Sequence, residues 1–179
     1  EANGLPTAYE ESSFIPGQPD NLTSSTYLPF PDPLSLSSND GTVLTLSCSD
    51  GKWSYKKGEA GVSTRFNGTV KMAEGASSST NKLSISAATG NPTLTFEQVV
   101  IKPTDGAALT INKDCALTLN TTGDNTSTLS SSGASTLVNN GSLTLTGKGL
   151  YIGNTGDNNE YYGLNNSGSF TVTDPSSTS

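Results

Sequence analysis

Histidine is missing from this 179-residue chain, and arginine occurs once, at Arg65. With no imidazole the commonest general base and zinc ligand are gone, and no serine sits in a Gly-x-Ser-x-Gly elbow that could make it a nucleophile. Charge is sparse: 14% of residues are charged, nine basic against sixteen acidic, for a net −7. Nucleic acids and anionic membranes are bound through clustered Lys and Arg that displace counterions, so neither partner is expected. The one basic cluster, Lys52, Lys56 and Lys57, lies beside Trp53 and Tyr55 and reads as a solvated strand or turn. No apolar run nears the roughly 20 residues of a membrane helix, and no membrane insertion is expected. Cysteine is limited to Cys48 and Cys115, neither with a neighbour at metal-ligand spacing, so no metal or other cofactor is expected. Both share strand parity with nearby leucines and should point inward. They either form a disulfide closing a long loop or pack as two small hydrophobes.

What is abundant is hydroxyl and amide: 27 serines, 25 threonines and 16 asparagines, with 19 glycines, against 31% hydrophobic residues. Disordered chains of such low apolar content usually carry high charge and no periodicity, and this chain is the reverse on both counts. A period-2 alternation of apolar residues dominates from Thr42 onward, and no segment sustains the i, i+3, i+4, i+7 spacing of a helix. Thirteen short strands are predicted, among them Val43 to Cys48, Ser63 to Met72, Thr93 to Ile101, Ala116 to Leu119 and Ser142 to Thr146. The phrase Gly141-Ser142-Leu143-Thr144-Leu145-Thr146 returns as Gly168-Ser169-Phe170-Thr171-Val172-Thr173, with looser copies at Ala108 and Ala116. Leu143 to Phe170, Leu109 to Leu143, and Thr122-Gly123-Asp124-Asn125 to Thr155-Gly156-Asp157-Asn158 give a loose period of 27 to 34 residues, within the range of stacked repeats.

Residues 1–40 differ, holding six of the nine prolines. Proline withdraws ladder donors, so this stretch reads as an N-terminal arm, part of which covers an end of the body through Tyr9, Phe14, Ile15, Tyr27, Leu28 and Phe30. Residues 41–174 read as one β domain and residues 175–179 as a C-terminal linker. An acidic, Ser/Thr/Asn/Gly-rich, Lys-poor chain is expected to be exported, either secreted or on the cell surface.

The alternation in Asp105-Gly106-Ala107-Ala108-Leu109-Thr110-Ile111, in Asn139 to Thr146 and in Tyr162 to Val172 resembles bacterial surface proteins with a right-handed, pectate-lyase-like parallel β-helix, such as autotransporter passengers, adhesin heads and polysaccharide-binding modules. The likeness spans about residues 80–175 and carries no catalytic motif. It implies an all-β solenoid, here of four to six coils, with a β-sandwich adhesin domain as the alternative. It also implies a passive surface function, adhesion or scaffolding.

For chemistry, glycoside hydrolysis needs two positioned carboxylates and uronate elimination a base with cations. The acidic residues Asp105, Asp114, Asp124 and Asp157 lie in Gly/Asn turn phrases where Asp serves turn geometry, so no enzyme is expected. Sugars are held by aromatic faces and by amide or carboxylate groups on their hydroxyls. Tyr151, Asn154, Asp157, Asn158, Asn159, Glu160, Tyr161 and Tyr162 offer that mixture, and Trp53 with Tyr55 forms a second candidate. The competing reading is that one aromatic of each group is core and the other covers a rung. The expected partner is a glycan or a host or cell-wall surface component; a stalk or passenger segment is the runner-up. The threonines at 144, 146, 171 and 173 resemble the Thr-x-Thr rows of ice-binding β-solenoids, but the copies vary in length and carry Asn, Ser and Lys, which places ice binding last.

Overall fold

The computed structural model describes residues 31–37, 41–157 and 160–173. The chain divides into two units, Glu1–Phe30 and Pro31–Ser179. The first, with the arm aromatics expected to cover an end, lies outside the described residues.

The described chain is all β, a parallel solenoid of about four turns. Three sheets wrap the core. A six-stranded sheet runs β1 (Leu34–Leu36), β5 (Thr69–Met72), β7 (Thr93–Glu97), β10 (Ala116–Thr122), β13 (Ser142–Gly147) and β16 (Ser169–Val172). A three-stranded sheet holds β8 (Val100–Ile101), β11 (Ser127–Ser131) and β14 (Leu150–Asn154). The third, seven-stranded, carries β6 (Lys82–Ala88), β9 (Leu109–Ile111), β12 (Leu137–Asn139) and β15 (Leu164–Asn166) on one side of β2 (Val43–Ser49), with β3 (Lys52–Lys57) and β4 (Thr64–Phe66) on the other. Antiparallel pairing is confined, among the described residues, to β2, β3 and β4. The sandwich alternative therefore does not hold. Leu34–Leu36, inside the stretch read as arm, pair with β5 and belong to the solenoid.

Period-2 alternation becomes a core because equivalent residues of successive rungs stack in register. Leu117 lies on Leu143 and Leu143 on Phe170; Leu94, Leu119, Leu145 and Val172 form a second column. Leu44, Leu83, Leu109, Leu137 and Leu164 form a third on the seven-stranded sheet. The register revises the period: Leu117 to Leu143 is the true repeat, whereas Leu109 and Leu143 lie on different sheets. The two Thr-Gly-Asp-Asn phrases likewise begin at unlike corners, one following β10 and the other β14. Corners also split two predicted strands. Ser63 to Met72 breaks at Gly68 into β4 and β5, and Thr93 to Ile101 breaks at Gln98 into β7 and β8, each break at a positive φ, +85° and +54°.

The glycine that opens the recurring phrase has a packing role. A methyl on Gly141 would stand 2.7 Å from the Asn112 carbonyl and closer still to that of Cys115, two backbone groups of the preceding rung. Gly168 meets Gly141 in the same way. Gly141→Ala is expected to destabilise by about 1–3 kcal/mol through overpacking, read as a lower denaturant midpoint with an unchanged slope.

One column turns polar. Asn139, fully buried, follows Leu46, Ile85 and Ile111, and its Nδ2 donates to Asn166 Oδ1 at 2.6 Å and to the Ser169 carbonyl at 2.8 Å. The amide ties rungs together where leucine would only pack.

Cys48 and Cys115 are both free and buried. Cys48 pairs across the sheet with Ala88, while the Cys115 thiol approaches the Ile85 carbonyl at 3.4 Å, so they occupy separate rungs. They take the packing alternative, not the disulfide. Burial pushes both thiols up from the ordinary 9.0. Folded thiols then hold protons to higher pH than unfolded ones, so this contribution to stability is complete below pH 9 and lost as pH rises beyond it. Denaturant midpoints measured between about pH 8 and pH 10 should fall less in a Cys48→Ala/Cys115→Ala variant than in the native chain.

Candidate functional site

The outer face of the three-stranded sheet carries the first aromatic candidate, Tyr151. Register places Val100, Thr128 and Tyr151 side by side as one outward row, each on a successive rung. Strand alternation also puts Gly153 on the outward side two residues after Tyr151. A methyl at Gly153 would stand 2.6 and 2.7 Å from Cζ and Cε1 of Tyr151, so the ring lies along the strand over the glycine. One ring face is supported by backbone, and the side chain remains 55% exposed.

The chain then returns to the same corner. Thr136 Oγ1 donates to the Gly153 carbonyl at 2.8 Å, Thr136 N donates to the Tyr162 carbonyl at 2.9 Å, and Gly163 packs near Ile152 and Gly153. Tyr162, 60% exposed, is thereby held close to the end of β14. Tyr161 is half-buried. Asn154 is committed to structure: its Nδ2 donates to the Ala134 carbonyl at 2.7 Å and its Oδ1 accepts from Gly156 N at 2.9 Å. Asp157 and Glu160 are exposed at the two ends of the loop, and Asn158 and Asn159 lie outside the described residues.

At the other end of the outward row Val100 lines a cleft of about 330 Å³, formed with Lys71, Met72, Glu97, Gln98 and Asn125. Lys71 and Glu97 are cross-strand partners in register, and among the described residues neither side chain is hydrogen-bonded or ion-paired. Gln98 is one of four non-glycine residues at positive φ among the described residues, and its side chain packs against Gly123. Such backbone strain is often held at binding sites. The cleft escaped the sequence reading because its walls come from separate rungs; Gln98 at a corner was the one local signal.

The second aromatic candidate is different. Trp53 is 4% exposed, its Nε1 donates to the Thr93 carbonyl at 3.0 Å, and its ring centroid lies 5.9 Å from that of Phe66. Tyr55 is half-buried, edge-on to the same phenylalanine. Trp53 therefore presents no open face to a sugar, and this pair caps the core.

The chain matches no protein-family model, no curated protein and no solved structure.

The remaining charged groups are dispersed. Asp105 accepts from Lys82 Nζ at 3.0 Å, and that ammonium holds its carboxyl below the usual range. The carboxylate is 76% exposed, so the pair contributes little to stability. Among the described residues no three Cys, Asp or Glu side chains gather as a metal site.

Proposed function

We propose that this chain is a non-catalytic binding module of an exported bacterial surface protein, and that it holds glycan along the outer face of the three-stranded sheet. The observation that carries the reading is the backbone-supported, half-exposed ring of Tyr151 in line with Thr128, Val100 and the cleft. A cleft of about 330 Å³ falls at the lower end of ligand-site volumes. Its amide, ammonium and carboxylate groups suit sugar hydroxyls, while the tyrosine suits an apolar ring face. Rungs about 4.8 Å apart bring the cleft and the ring within one short oligosaccharide.

A glycan array followed by affinity measurement tests this. Tyr151→Ala is expected to weaken binding about tenfold, the equivalent of one lost stacking contact, with an unchanged unfolding midpoint. Binding at background for the native chain, or full binding by the variant, would reject the reading. The first outcome would favour the stalk or passenger role.

A further inference from the structure

The six-stranded sheet carries a pattern that the sequence copies conceal. Thr93, Thr118, Thr144 and Thr171 occupy one outward row on four successive strands. Thr69, Thr95, Asn120 and Thr146 occupy the next. No register shift interrupts this sheet, whereas the seven-stranded sheet slips between Leu46 and Ser47. The variation in copy length that placed ice binding last is absorbed by the corners and leaves the rows aligned. Seven threonines and an asparagine thus form a two-dimensional array without a charge. Among the described residues the hydroxyls of Thr93, Thr118, Thr144 and Thr171 have no protein partner, while Thr146 donates to Asn120 Oδ1 at 3.1 Å.

A lattice of weak contacts is complementary only to a partner with the same repeat. Tetrahedral water joined by hydrogen bonds of about 2.75 Å repeats, by geometry alone, at about 4.5 Å in one direction and about 7.4 Å in the perpendicular one. Threonines on adjacent strands repeat at about 4.8 Å, and those two apart along a strand at about 6.7 Å. The first pair of spacings nearly coincides in the direction of the long rows. The poorer second match is not compounded, because there are only two rows. Each threonine offers a methyl that orders water around it and a hydroxyl that joins the resulting network. Charged side chains, which would impose their own hydration, stand outside the two rows, at Lys71 and Glu97 in the flanking row.

We propose that this threonine face binds ice. The array shares no residue with Tyr151 or its cleft, whose Lys71 and Glu97 stand in the row beside it, so either proposal can fail without the other. The test is partition of the full chain into a slowly growing polycrystalline ice hemisphere, with thermal hysteresis as a second readout. The native chain is expected to be enriched in the ice fraction over a size-matched control protein. Thr118→Lys and Thr144→Lys should each reduce that enrichment about tenfold without changing the unfolding midpoint, since each breaks the array at its centre. Thr110→Lys, outward on the seven-stranded sheet, and Tyr151→Ala should leave it intact. Ice exclusion equal to that of the control protein would overturn the proposal. So would retention on crystalline cellulose or chitin with ice partition at background, or equal loss in Thr110→Lys.

Discussion

Phe96→Ala is expected to remove about 3–5 kcal/mol from the stability of the solenoid. Phe96 has no exposed surface and is the bulkiest of the fully buried side chains among the described residues. It lies in register between Val70 of one rung and Thr121 of the next. Neither neighbour can fill the space: Val70 is short, and Thr121 is held by a 2.8 Å bond from its Oγ1 to the Lys148 carbonyl. The cavity therefore stays open, and the cost includes both lost transfer energy and lost contacts. Guanidinium unfolding should show a lower midpoint with a similar slope, whereas Thr95→Ala, one residue away and outward, should change stability by no more than about 0.5 kcal/mol. Because rungs couple chiefly to their neighbours, amide exchange should accelerate first in β5, β7 and β10 and least in β15 and β16. A loss below about 1 kcal/mol would contradict the packing described for this column.

Trp53→Ala carries the second large effect, again about 3–5 kcal/mol. β3 and β4 occupy the place beside β2 where a preceding rung would lie, and Trp53 pairs with Cys48 on one side and Phe66 on the other. Its indole reaches across to the Thr93 carbonyl and ties the hairpin to the next rung. Gly68 allows this approach: a methyl there would stand 3.0 Å from Nε1. Losing the indole should free the hairpin and expose β2 as an unpaired edge, a template for association. The variant is therefore expected to self-associate in sedimentation velocity as well as to unfold earlier. Trp53→Phe separates the contributions, keeping most of the packing while losing the hydrogen bond, at a cost of about 1 kcal/mol. Glycan affinity measured on folded protein should be unchanged, since Trp53 has no open face. A variant that bound no glycan yet unfolded at the native midpoint would return Trp53 to the binding site.

The repeated Gly-Ser-Leu-Thr-Leu-Thr phrase made the fold readable because two requirements meet in it. Alternation states which side chains point inward, and the leading glycine marks the corner where one rung's backbone approaches the next. Rung length was less legible. Phrases on different sheets resemble one another, since every strand of a solenoid faces the same core, and only pairing distinguishes Leu117 over Leu143 from Leu109 over Leu137. Strand ends were misplaced at Gln98, where one apolar stretch continues but the inward residues pass from even positions, Leu94 and Phe96, to odd ones, Val99 and Ile101.

The candidate site divides in the same way. Tyr151 was visible as an aromatic among amides, and the Tyr-x-Gly spacing carries its supported geometry, because alternate residues share a face. Asn154 looked equally available but is used up by two backbone partners, Gly156 beside it and Ala134, 20 residues away. Trp53 and Tyr151 are both strand aromatics but have opposite burial, because the hairpin lays Trp53 over the core.

By itself, then, the sequence determined an all-β stacked chain with inward leucines and outward hydroxyls. Periodicity is a local property, and glycine and asparagine declare where it must turn. Tertiary structure alone decided the length of a rung, which aromatics are covered, where the cleft opens, and that the threonines align in rows. Each of these depends on register between strands about 26 residues apart, as in the bond from Thr146 to Asn120, and no local pattern encodes it.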